Sequence, residues 1–318
     1  GHLYEGVVEQ VTGGGTKNYG VNILIKKVAD HNVAKATQAR REILSSLSDN
    51  DLHKVIKESL IGENDYRPKQ REAIQMLIEG KSLLAVLGTG RGKSAIFQTY
   101  SAYLALKRQL ATIIVYPLRA LVNDQFLSLK KKLAPLGLNI VKGTGALESD
   151  ERAEFFAQLR EGKVDIVLTT PEFLVYNQQR FSTISERIGL IVVDEAHHLA
   201  SRRQGYRQLP QTLRQIGQLQ ILAVTATANE AAAKAITEGL VLDEFLLDSH
   251  VRENLRLEDQ RQNTDKMAYL QKLATRGEKT VVYVNSRKQA VKIAQSLREK
   301  MPSVIAQQIC YYHGGLSN

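Results

Sequence analysis

One lysine and two neighbouring carboxylates carry most of the chemistry this sequence offers. Lys93 lies in the run Leu87-Gly88-Thr89-Gly90-Arg91-Gly92-Lys93-Ser94. Glycines let a backbone wrap closely around phosphate oxygens, and a helix that follows directly adds free N–H groups and a positive dipole end. In such a loop Thr89, Gly90, Arg91 and Gly92 line the phosphates, Lys93 reaches the outer ones, and the Ser94 hydroxyl ligates Mg²⁺. The strict phosphate-loop pattern has glycine where Leu87 stands, so a glycine-rich turn with a chance Lys-Ser is the plain alternative. Asp194 and Glu195 follow the apolar run Leu190-Ile191-Val192-Val193. An aspartate at a strand end can hold Mg²⁺, mainly through water, and the next carboxylate can orient and deprotonate an attacking water. His197 can tie this pair to its neighbours by hydrogen bonds. A solvated acidic turn is the alternative, but both patterns in one chain make a double coincidence improbable.

These groups must be positioned by a sheet. From about residue 66, short apolar runs alternate with amphipathic stretches: Leu83–Val86, Thr112–Tyr116, Asn139–Val141, Asp165–Leu168, Leu190–Val193 and Ile221–Val224. Alternation of this kind predicts a parallel sheet covered by helices on both faces, with ligands at the C-terminal strand ends. The expected fold is therefore α/β, with the nucleotide domain spanning 61–248. Residues 249–318 read as part of a second α/β domain: helix 265–276, strand Thr280–Val284, helix Arg287–Lys300 and a further strand at Ile309–Tyr312. These are too few elements for a self-contained domain, so its remainder is expected outside this sequence. Residues 1–60 read as a separate accessory module. Short strands over Tyr4–Val11 and Tyr19–Ile25 flank Gly13-Gly14-Gly15 as in a hairpin, and helices are predicted over 33–47 and 51–61.

Composition narrows the classes. The 318 residues carry 43 basic and 33 acidic side chains, a formal charge of +10, which suits a polyanionic partner. With Cys310 as the single cysteine, neither an intrachain disulfide nor a cysteine-based zinc site can form. That cysteine usage makes a reducing, cytoplasmic setting the preferred expectation, and with no apolar run of about 18 residues no membrane span is expected.

The acidic box resembles the DEAH-type boxes of superfamily 2 helicases, most closely those of the RecQ family. The resemblance covers about residues 60–318, with further motifs in family order. Tyr66-Arg67-Pro68-Lys69-Gln70 is similar to the adenine-reading motif, which implies that Gln70 bonds the adenine edge and Arg67 covers its face. Tyr116-Pro117-Leu118-Arg119 through Asn123-Asp124-Gln125 resembles a motif that touches the backbone of single-stranded nucleic acid, implying contacts at Pro117, Arg119 and Gln125. Thr169-Thr170-Pro171-Glu172 resembles a second such motif through Thr170, although threonines there also cap helices. Val224-Thr225-Ala226-Thr227-Ala228 resembles the segment coupling hydrolysis to domain motion, through Thr225 and Thr227. Arg252-Glu253-Asn254-Leu255 resembles the entry to the second RecA-like domain, and Val282 to Arg287 resembles its nucleic-acid motif, with Asn285, Ser286 and Arg287 as contacts. The segment Tyr312-His313-Gly314-Gly315-Leu316 resembles the one after it.

By resemblance the protein is a DNA helicase that binds Mg-ATP and moves 3'–5' along single-stranded or partly duplex DNA, in DNA repair or recombination, with RNA left open. Two departures matter. The family's aromatic-rich loop after the acidic box is here His-Leu-Ala-Ser-Arg-Arg-Gln-Gly-Tyr-Arg over 198–207, and the chain has no Trp. Arg202, Arg203, Tyr206 and Arg207 are the candidates to replace it, against the reading of a solvated basic loop. The family's later motifs, with an arginine finger worth about 10³–10⁵ in rate, would lie beyond Asn318, so these residues alone should hydrolyse ATP poorly. Rival readings are a translocase that does not separate strands and a non-enzymatic nucleic-acid-binding module with a degenerate ATP site. Residues 1–60 could also end a nuclease or other DNA-processing module in a larger fusion.

Overall fold

A computed structural model describes residues 35–200, 204–249, 255–277 and 279–313. The chain divides into two compact units, Gly1–His250 and Val251–Asn318.

The first unit opens with helix α1 over 35–46, then α2 (Asp49–Ile61) and α3 (Pro68–Ile78). Next come β1 (Leu83–Leu87), α4 (Lys93–Tyr103), β2 (Ala111–Val115), α5 (Arg119–Leu133), β3 (Ile140–Gly143) and α6 (Ser149–Arg160). After β4 (Ile166–Thr169) follow α7 (Pro171–Tyr176), α8 (Gln178–Ser182), β5 (Ile188–Val193) and α9 (Gln204–Ile216). The unit ends with β6 (Ile221–Thr225), α10 (Glu230–Leu240) and β7 (Glu244–Asp248). Seven strands pair in the order β3-β4-β2-β5-β6-β1-β7, and every pairing is parallel.

Helices on both faces explain why β1, β2 and β4 are buried at every position and read as continuous apolar runs. Successive side chains point to opposite faces, which sorts the core into two layers. Leu83, Ile114 and Leu190 meet Leu52 of α2, Leu77 of α3, Ile96 of α4 and Leu129 of α5. On the other face, Leu84, Ile113 and Ile191 meet Phe155, Phe181, Leu213 and Ile236. Full burial of one such Leu, Ile or Phe stabilises by about 1.5–3 kcal/mol, so the sheet and both helix layers are held largely by these side chains.

The six runs expected as strands all lie on strands, shifted by a residue or two at their ends. The edge strand β7 was not expected. Its Glu-Phe-Leu-Leu-Asp sequence alternates, with Leu246 buried and Phe245 and Leu247 half exposed, so it lacks the unbroken apolar signal of the central strands.

The expected boundary near residue 60 does not hold for α1 and α2. Leu44, Leu52, Ile56 and Leu60 belong to the same core layer as β1 and α4. Ser48 caps α2 by accepting the Asp51 N–H at 3.2 Å. Arg41 grips Asp165, just before β4, through Nη1–Oδ2 and Nη2–Oδ1 contacts of 2.5 and 2.9 Å. The hairpin expected within residues 4–25 lies outside the described residues.

The second unit contains α11 (Lys266–Thr275), α12 (Arg287–Lys300) and α13 (Ser303–Ala306). Both long helices were expected, but the strands expected at Thr280–Val284 and Ile309–Tyr312 do not form. Strand structure needs a neighbour for its N–H and C=O groups, and no such ladder is present among the described residues of this unit. Val281, Tyr283 and Tyr312 are exposed. Among the described residues no helix is long and apolar enough to cross a membrane.

Candidate nucleotide site and nucleic-acid face

The phosphate loop leaves β1 at Leu87, which is still a buried strand residue. That explains the missing glycine: the turn begins only at Gly88. Gly90 and Gly92 take positive φ of 77° and 75°, and Gly92 caps α4 in the left-handed conformation. A Cβ on Gly92 would be strained at this φ and would stand 2.3 Å from Gln70 Nε2, so the Gln70 amide would have to move. Gln70 Nε2 donates to the carbonyls of Arg91 and Gly92 at 3.2 and 2.9 Å, while its Oε1 accepts the Arg67 N–H at 2.8 Å. One end of the Gln70 amide thus holds the loop while the other caps its own helix at Arg67. Arg67 supports the same loop by donating from Nη1 to the Gly90 carbonyl at 3.2 Å. Arg91 faces β7, where its Nε lies 2.7 Å from Asp248 Oδ2. Asp248 is thus a loop-supporting residue that sequence reasoning missed, because the strand carrying it was missed.

Lys93 begins α4, and its Nζ donates to the Leu87 carbonyl at 3.5 Å. Ser94 follows it in the first turn. Asp194 leaves β5 with its N–H bonded to the Val115 carbonyl at 3.0 Å. Burial and the adjacent Glu195 charge push the Asp194 carboxyl up to about 6, while the Lys93 ammonium pulls the other way. Lys93 and Asp194 thus act on one another electrostatically at the C-terminal ends of β1 and β5, across the end of β6.

Glu195 has φ of 48°, a strained left-handed backbone for a non-glycine residue at the turn. Its Oε2 lies 3.2 Å from His197 Nδ1, which is also 3.0 Å from Thr225 Oγ1. The Thr225 hydroxyl donates to the Thr227 carbonyl at 3.1 Å. His197 thereby joins the acidic box to the expected coupling segment at the end of β6.

Pro117 is buried and Arg119 exposed at the start of α5, with Gln125 partly buried further along. Arg119 packs over Gly145, where an added Cβ would be 2.6 Å from Nη2. Thr170 heads α7 but makes no side-chain cap, which removes the capping alternative. Arg207 is exposed. Tyr206 is not available as a stacking platform: it is fully buried, and its hydroxyl donates to the Asp194 carbonyl at 2.8 Å. Arg202 and Arg203 lie outside the described residues. In the second unit Asn285, Ser286 and Arg287 are exposed, and Ser286 caps α12 by accepting the Gln289 N–H at 3.2 Å.

A glycine turn opening a helix, with a partly buried acidic pair at the end of another strand of the same all-parallel sheet, defines a domain of RecA-like α/β type. The chain belongs to the DEAD/DEAH box helicase family, whose model matches residues 67–236. It is 31% identical over 277 residues to the ATP-dependent DNA helicase RecQ of Synechocystis, covering 80% of this chain and 54% of that protein. It is 28% identical over 265 residues to the ATP-dependent helicase SGS1 of Saccharomyces cerevisiae, covering 79% of this chain and 18% of that one. The chain spans about half, or less, of the length of these relatives. The DNA-bound crystal structure of the DUF1998 helicase MrfA has the same fold, with a TM-score of 0.62 at 19% identity over 82% of this chain and 40% of that one.

Proposed function

We propose that these residues are the nucleotide-binding part of an ATP-dependent DNA helicase that moves 3'–5' along single-stranded DNA. The observation carrying this reading is the partly buried Asp194, whose charge Lys93 feels, next to Glu195, which is linked through His197 to Thr225. A loop turned by Gly90 and Gly92 at positive φ and an oxygen-rich donor set suit a triphosphate with Mg²⁺. Ser94 and Asp194 would hold the ion, which when bound supplies positive charge to the outer phosphates. Lys93 adds a second positive charge there, and Thr89, Gly90, Arg91 and Gly92 orient the phosphates through the loop. Glu195 would orient the attacking water and take its proton at Oε2. His197 would carry the state of Glu195 to Thr225 and Thr227, and so to domain motion. Arg119, Gln125 and Arg207, with Asn285, Ser286 and Arg287 in the second unit, would touch the DNA backbone, which gives binding without base-sequence specificity, while Pro117 and Thr170, both buried, would shape that face from beneath.

A second reading has one observation in its favour. Burial of Tyr206 removes the one tyrosine of the 198–207 loop from base stacking, which suits a DNA-stimulated ATPase that translocates without separating strands. Turnover of ATP with and without single-stranded DNA and RNA, in the full-length protein and in Lys93→Ala and Glu195→Gln, tests the motor. No nucleic-acid stimulation, or a Lys93→Ala protein that holds Mg-ATP as tightly as the parent, would defeat it. Stimulation without duplex unwinding selects the translocase.

A further inference from the structure

Tyr116 is the first residue beyond β2, 2% exposed, with its N–H bonded to the Thr169 carbonyl at 2.9 Å. Its hydroxyl is buried and has no hydrogen-bond partner. Such a group lowers stability, because water is lost and nothing replaces it. Phenylalanine would fill the same space without that cost.

Strand register says what lies beside it. Val115 of β2 pairs with Val193 of β5, so Tyr116 and Asp194 are the next residues on adjacent parallel strands. Ile114 and Val192, two residues earlier on each strand, belong to the same core layer as Tyr116. The period of two therefore puts Tyr116 and Asp194 on the same sheet face. Burial pushes the pKa of the Tyr116 hydroxyl up, and the Asp194 charge adds to it. The phenol thus stays a neutral donor beside a carboxylate.

We propose that Tyr116 is a positioning residue of the nucleotide site, whose hydroxyl donates a hydrogen bond to the Asp194 carboxylate once a magnesium–triphosphate is held. This rests on the reading of Asp194 as a magnesium-holding group. The hydroxyl is buried without a protein partner, and the bond to the Asp194 carboxylate would satisfy it.

The full chain, Tyr116→Phe and Asp194→Asn are compared in two measurements. One is thermal unfolding without ligand. The other is binding of a fluorescent non-hydrolysable ATP analogue, titrated with Mg²⁺ and repeated in EDTA. Tyr116→Phe is expected to unfold at the parent's temperature or above. Its Mg²⁺-dependent affinity should be about tenfold weaker, the scale of one lost charge-assisted hydrogen bond, with affinity in EDTA unchanged. A Tyr116→Phe protein that unfolds earlier overturns the proposal, because its hydroxyl then has a structural partner. An unchanged Mg²⁺ titration in Tyr116→Phe, with Asp194→Asn impaired, overturns it while leaving the site reading intact. A parent whose analogue binding ignores Mg²⁺ overturns the site reading and this proposal with it.

Discussion

Gln70 and Gly92 are built around each other. The Gln70 amide donates to the Gly92 carbonyl at 2.9 Å, and a methyl group on Gly92 would come within 2.3 Å of that same nitrogen. The phosphate loop is thus held from α3 by contacts within the protein, which lowers the ordering cost of binding.

Gly92→Ala should therefore weaken nucleotide binding at least tenfold, since a left-handed alanine is strained and Gln70 must release the loop. Gly88→Ala is the internal control: its Cβ would meet only Arg91 Cγ, at an ordinary 3.6 Å. Equal losses in the two variants, measured as the Kd of an ATP analogue, would show that the Gln70 clamp is irrelevant.

How much of this was legible in the sequence follows from the kind of signal each part leaves. The central strands are buried on both faces, so β1, β2, β4 and β5 announced themselves as unbroken apolar runs. Edge strand β7 has one buried side and two acids, and it was lost together with the Arg91–Asp248 pair that depends on it. Lys93, Asp194 and Glu195 were legible because a glycine turn and strand-end carboxylates are local patterns. The inward turn of Tyr206 and the double engagement of Gln70 were not, because each is settled by a partner distant in the chain or by packing. The mixed charge of α1 and α2 suggested a separate module, yet every third or fourth residue of α2 is apolar and buried.

Asp194 makes stability depend on pH. Its carboxyl sits at about 6 in the folded protein against an ordinary 3.8. A raised carboxyl means the native state binds the proton more tightly than the unfolded chain. The stabilisation is complete below about 3.8 and is lost as pH rises through about 6. The full swing is at most ~3 kcal/mol, reduced by solvent screening because the group is only partly buried. Asp194→Asn should be more stable than the parent at pH 8, with the gap closing on acidification toward pH 4. A gap that stays constant between those limits, followed by thermal unfolding at intervals of pH, would rule this out. The same proton competes with Mg²⁺, so metal-dependent nucleotide affinity in the parent should fall as pH drops through about 6.

Tyr206 holds the carbonyl of Asp194 from α9, so it acts on the acidic turn and not on a base. Tyr206→Phe should cost about 0.5–1.5 kcal/mol of stability, the net worth of one hydrogen bond. Affinity for single-stranded DNA should remain within twofold in Tyr206→Leu, assayed well below its unfolding temperature. A stacking platform would instead lose about 1–3 kcal/mol of binding per base when its ring is removed. A loss of that size would return Tyr206 to the nucleic-acid face.

The contact between Arg41 and Asp165 ties α1 to the sheet, and it separates a shared core from a detachable module. The Asp165 carboxylate is 4% exposed and accepts two bonds from Arg41 and one, at 2.6 Å, from the Asn139 N–H. Arg41→Ala strands that charge with one donor, and should cost roughly 3 kcal/mol of unfolding free energy by urea titration. Adding Asp165→Asn to Arg41→Ala removes the stranded charge, so the double variant should recover part of the loss. A chain beginning at residue 62 loses Arg41 and also uncovers the surface that Leu52, Ile56 and Leu60 bury. It should therefore aggregate or unfold where a chain cut before residue 35 stays folded. Recovery of a stable, nucleotide-binding protein from residue 62 onward would restore α1 and α2 to the status of an independent module.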